Sequence, residues 1–160
     1  MKPATRVASS NHARALSGKC RAAPISVDVN SECQSIIVNA PVAEVYRRCL
    51  RFEALPQFIT SITKIERIND TSFFCTSDIN GEDVSSLVQV TMRVSDRRIA
   101  WQAASEYFRV GVAFFDPLAG GTTKVTVKLR SILEPVTLTG ALRDHLKHFK
   151  RMLEEDVPTK

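Results

Sequence analysis

The apolar positions change period along the chain, and each change marks an element. From Ser31 to Val38, apolar Ile36 and Val38 alternate around Ile37 with the two-residue period of a strand, and Asn39-Ala40-Pro41 stops it. Val42, Val45, Tyr46, Cys49 and Leu50 then recur at helical spacing, and Pro41 starts that helix, where a fixed φ and a missing N–H do no harm. Phe52 to Ile59 makes a second short helix or turn carrying Phe52, Leu55, Phe58 and Ile59, so two short helices in succession form a corner. After it the period returns to two, predicting strands over Ile62 to Ile68, Ser72 to Ile79, Val84 to Val94, Arg98 to Ala104, Tyr107 to Phe115 and Thr122 to Ile132. Asn80-Gly81 reads as a tight hairpin turn and Asp116 to Gly121 as a longer one. Val88, Val90, Met92 and Val94 are expected on one face of their strand, and Val125, Val127 and Leu129 on the buried face of theirs. Pro135 ends the sheet, and Thr137 or Thr139 caps a terminal helix running to about Asp156, with Leu138, Leu142, Leu146, Phe149 and Leu153 in one stripe.

This order predicts an α+β fold: a seven-stranded antiparallel sheet curled around one long C-terminal helix, with two short helices after the first strand. The corner seals an end that a curved sheet and a lone helix cannot fill, and the space left between them is expected to be a cavity.

Composition narrows the function classes. The 160 residues suit one domain, expected over residues 30–157, and no apolar run approaches the length of a membrane span. The net charge of +5 resides in the first 27 residues, which hold Lys2, Arg6, Arg14, Lys19 and Arg21 and no acid. The remaining Lys and Arg are matched by Asp and Glu, so no nucleic-acid partner is expected. The acid-poor tail reads as a disordered basic segment of a cytoplasmic protein; the alternative is an organellar transit peptide, and either could touch an anionic membrane surface. Cys20, Cys33, Cys49 and Cys75 have no zinc spacing and read as free thiols, most of them packing residues; neither a metal nor a cofactor is implied.

Four stretches carry a resemblance: Asn39-Ala40-Pro41-Val42-Ala43-Glu44-Val45-Tyr46, Phe52-Glu53-Ala54-Leu55-Pro56-Gln57-Phe58, Arg98-Ile99-Ala100-Trp101 and Phe115 to Val127. In this order they resemble the START-like helix-grip superfamily, in its polyketide cyclase/dehydrase and coenzyme-Q-binding branch, over about Ser31 to Asp156. The resemblance implies an apolar tunnel for a lipid, quinone or polycyclic molecule, and no catalytic set. Members range from carriers to cyclases, so fold alone does not choose among them.

The walls expected for such a tunnel are Leu55, Phe58, Ile59, Val90, Met92, Trp101, Val127, Leu142, Leu146 and Phe149, which plain core packing would explain equally. Candidates for chemistry are Tyr107 and Arg109, two apart on one strand and able to polarise a carbonyl if they face inward, and His145 on the edge of the helical stripe; His148 is expected to turn away. Three readings stay open: a non-enzymatic carrier or chaperone of a hydrophobic molecule, which is preferred, a polyketide cyclase or aromatase, and a protein-interaction module.

Overall fold

The computed structural model describes residues 30–104, 108–131 and 135–156, with the side chains of 108–109 and 135–138 excepted. Strand β1 (Asn30–Val38) leads through helix α1 (Val42–Cys49) and a 3₁₀ turn (Phe52–Gln57) into β2 (Ile62–Arg67), β3 (Ser72–Ile79), β4 (Glu82–Val94), β5 (Arg98–Ala104), β6 (Phe108–Leu118) and β7 (Thr122–Ser131). Helix α2 (Pro135–Glu155) follows. All seven strands join one antiparallel sheet in the order β1-β7-β6-β5-β4-β3-β2, the α+β helix-grip architecture expected from the pattern.

Local chemistry sets the joints. Asn80 and Gly81 adopt φ of 58° and 84°, the paired left-handed conformations that a two-residue hairpin turn needs and that these residue types tolerate. Pro41 stands just before α1 in extended conformation, φ −63° and ψ 149°, rather than inside it. At the other end, Pro135 opens α2 instead of merely ending the sheet, because its ring suits a first helical turn where the missing N–H has no partner to lose. Thr139 therefore lies within the helix, beyond its first residues. Strand β6 also runs on to Leu118, so Asp116 and Pro117 are paired residues rather than part of the turn.

The largest departure from the expected pattern lies in β4. Val90 pairs with Trp101 and Met92 with Ala100, which leaves Thr91 as an extra residue in a β-bulge. One inserted residue reverses the facing of everything beyond it. Val90 is buried, whereas Met92 and Val94 emerge on the outer face, 43% and 37% exposed, so the four residues expected on one face are divided two and two.

The core lies between the sheet and α2 at the end closed by α1. Val38, Val45, Tyr46, Phe115, Val125 and Leu153 fill it, with the Tyr46 and Phe115 rings edge to face at 5.5 Å. Leu142, Leu146 and Phe149 continue the same stripe of α2 along the sheet. Among the described residues no helix is long and apolar enough to cross a membrane.

Candidate functional site

Helix α2 lies close along β1, running in the same direction, and stands farther from β3, β4 and β5. The fastening to β1 is polar at both ends. Near the closed end the Lys150 ammonium donates to the Ile37 carbonyl and the Asn39 N–H to the Glu154 carboxylate; near the other the Thr139 hydroxyl donates to Glu32 at 2.8 Å. On the far side of α2 the corner is clipped to it. The Phe58 and Phe149 rings pack at 5.0 Å, and His148 Nδ1 lies 3.3 Å from the Phe58 carbonyl oxygen, to which a proton on that nitrogen would be donated. The corner's first residues hold to the sheet: Phe52 stacks on Phe73 at 4.7 Å, and Glu53 accepts two bonds from Arg67, of 2.5 and 3.2 Å.

Between these fastenings the helix-facing side of the sheet is half sheltered. Val84, Ser86 and Val88 of β4, Trp101 and Ala103 of β5 and Val127 of β7 point toward α2 yet keep part of their surface accessible, in contrast to the fully packed residues at the closed end. Leu55 and Ile59 form the lip on the corner side and are likewise half-buried. The trough is floored by Trp101, whose indole lies across β6 where Gly111 has no side chain; a Cβ there would fall 2.8 Å from the indole Nε1 and closer still to its ring carbons. Gly111 therefore shapes this wall, a role that a lone glycine in a strand pattern only hints at.

The expected residues divide by this geometry. Trp101, Val127, Leu55 and Ile59 border the trough; Val90, Phe58, Leu142, Leu146 and Phe149 are buried behind it; Met92 is on the opposite side of the sheet because of the bulge. Tyr107 and the Arg109 side chain lie outside the described residues. On β6 the residues that point inward are Gly111, Ala113 and Phe115, and Val110, Val112 and Phe114 take the outer face, where Arg98 and Lys128 sit over the Phe114 ring. His145 is half-buried on the corner-facing flank of the apolar stripe. Burial, first, and the neighbouring His148, second, hold its imidazole below the usual histidine range, with Asp144 acting weakly the other way. His148 does not turn away, because the corner folds back against that flank of α2.

Sequence patterning missed a polar group on β1. Asn30, Glu32 and Gln34 share the inward parity of Ile36 and Val38. The Gln34 amide donates to Glu32 at 2.6 Å, and the Thr139 hydroxyl comes from across the helix–sheet gap. These two bonds, the Gln34 one foremost, lower the Glu32 pKa. Polar residues near the start of a strand read as solvent-facing unless the helix that covers them is known. Outside the trough, a shallow groove between Gln57, Thr60 and the last turns of α2 is open to solvent. Among the described residues no group of three His, Cys, Asp or Glu stands close enough together to hold a metal.

With this geometry in view, the chain is 30% identical over 125 residues to an uncharacterized 17.2 kDa protein of Streptomyces lincolnensis, an alignment that takes in 78% of this chain and 82% of that one. The chain belongs to that protein's family. No family model matches it. Among solved structures it is similar to a START superfamily protein from Mycobacterium smegmatis, at TM-score 0.62 and 18% identity over 79% of this chain and 96% of that one. It is also similar to the Zhui aromatase/cyclase from Streptomyces sp. R1128, at TM-score 0.68 and 13% identity over 82% and 98%. At such identities the likeness establishes the fold, a START-like helix grip, and leaves chemistry to the residues.

Proposed function

We propose that this protein binds an apolar small molecule between the sheet and α2 and holds it as a carrier or chaperone, without transforming it. The observation that supports this reading is the half-sheltered apolar wall of Val84, Val88, Trp101, Ala103 and Val127, which faces a helix yet is not closed over by it. Each methylene buried there contributes about 0.8 kcal/mol, so a ten-carbon chain suffices for micromolar retention. The corner is the natural gate: its start is fixed by Phe52 and Glu53 on the sheet, and its end meets α2 through one ring contact and one hydrogen bond.

Trp101 is the single tryptophan, so its emission reports occupancy of the trough directly. Decylubiquinone, whose ring quenches indole fluorescence, is expected to quench it saturably in the micromolar range. Linear, non-saturating quenching, together with no lipid in organic extracts of the purified protein, would sink the reading. A second reading, a cyclase acting on a polyketide, is favoured by one observation: the His145 imidazole is held neutral on the flank of α2 nearest the corner. Under it, His145→Gln abolishes turnover of a polyketide substrate and leaves quinone uptake intact; retained turnover removes it.

A further inference from the structure

The trough has a pole. On β1 the inward residues change from Ile36 and Val38 at the closed end to Gln34, Glu32 and Asn30 at the other, and on β7 the inward series ends in Ser131, whose backbone pairs with Asn30. Gln34 stands opposite Val127, a wall of the trough, and Glu32 opposite buried Leu129. The carboxylate of Glu32 is therefore next to the apolar surface on which a guest would lie.

Its bonding leaves it unfinished. An ionised carboxylate offers about four lone-pair directions. The Gln34 amide and the Thr139 hydroxyl occupy one on each oxygen, and the Cys33 backbone N–H acts more weakly as a third donor. All three donors are neutral, and among the described residues no Lys, Arg or His forms an ion pair with Glu32. Arg143, exposed on α2, acts on it only as the least of several influences. A negative charge at the solvent-accessible edge of the helix–sheet gap, served by three neutral donors, accepts a further donor and repels another anion.

Building on the proposal that the trough takes an apolar guest, we infer that Glu32 and Gln34 form the binding site for that guest's polar end. They select a head group that donates a hydrogen bond, such as a hydroxyl or phenol, against one bearing a carboxylate. Fatty acids are then poor ligands, and the alcohols or phenols of the same chain length are good ones.

The test compares 1-decanol with decanoate, which share a ten-carbon chain, by titration calorimetry at neutral pH on the full-length protein and two variants. Glu32→Gln removes the charge. Thr139→Val removes the link to α2 and keeps the carboxylate, so it separates recognition from mere fastening. The unaltered protein is expected to bind decanol about tenfold or more tightly than decanoate, the scale of one charge-assisted hydrogen bond. The preference should survive in Thr139→Val and shrink severalfold in Glu32→Gln. Equal binding of the two ligands, or a preference lost alike in both variants, overturns the inference while leaving the trough a ligand site. Binding of neither ligand, nor of decylubiquinone, overturns both. If Glu32→Gln does not fold, the comparison in the unaltered protein and in Thr139→Val still decides, because an equal affinity there already refutes selection by charge.

Discussion

Gly111 has no room for a side chain, since the Trp101 indole occupies the space above its Cα. Gly111→Ala should push the ring off the wall at a cost of about 1–3 kcal/mol, the usual range for overpacking, and should shift the Trp101 emission maximum. An unchanged melting temperature and spectrum would show that the indole has another place to go. Cysteine chemistry at the same scale follows burial. Cys33 is exposed on the outer face of β1, while burial pushes the thiols of Cys49 and Cys75 up, well above the ordinary range at Cys49. Because the thiolate is the reactive form, iodoacetamide at neutral pH should modify Cys33 in the folded domain and reach Cys49 and Cys75 only after denaturant is added, as peptide mass mapping would reveal. Early labelling of Cys49 would contradict its placement. The helix-ward facing of Trp101 and Val127 was legible because strand alternation is a local property. Glu32 was not, since its partner Thr139 lies more than a hundred residues away.

At the scale of elements, the periodicity of the sequence placed every strand and helix to within a few residues, and what it missed depends on pairing. The Thr91 bulge cannot be read from β4 alone: Val88, Val90, Met92 and Val94 alternate without interruption, and only the register against β5 shows that the facing reverses. The start of α2 was misplaced because a proline after a strand has two meanings, a stop or a first helical turn, and the residues that choose between them lie downstream. The same ambiguity concealed His148, which a helical wheel assigns to solvent until the corner is known to pack on that side. The bulge carries a direct prediction. Met92→Lys should change stability by no more than about 0.5 kcal/mol, as exposed substitutions do, and leave quinone uptake unaltered, whereas Leu153→Ala, at 1% exposure, should cost about 2–5 kcal/mol. Urea denaturation of the two variants measures both, and a large loss in Met92→Lys would return that side chain to the interior. The Glu53–Arg67 pair, by contrast, joins side chains 47% and 40% exposed, so breaking it should matter less than about 1 kcal/mol despite its two bonds.

For the whole molecule, the response to acid combines groups that no single element contains. Glu32, Glu53 and Glu154 all have pKa values below the ordinary 4.5, each chiefly through a side-chain hydrogen bond, from Gln34, Arg67 and Lys150 respectively. A carboxylate depressed in the folded state contributes stability above its unfolded pKa and loses it as the pH falls through the folded one. These three therefore act only below about pH 4.5, and weakly, being open to solvent. His145 acts earlier. Its folded pKa lies below the ordinary 6.5 because burial disfavours the charged ring, so above that pH both states are neutral and nothing is gained or lost. Below it the unfolded chain takes up a proton that the folded one resists, and stability declines until the folded pKa is passed. The melting temperature should accordingly be flat between about pH 7 and 8, below the range where unfolded thiols ionise, fall in a first stage beneath 6.5 and fall again beneath 4.5. His145→Gln should erase the first stage and keep the second, because amide and imidazole are both neutral at pH 7 but only the ring can charge. Identical acid profiles for the two proteins would mean that the imidazole reaches water freely, and that the flank of α2 facing the corner is open rather than sheltered.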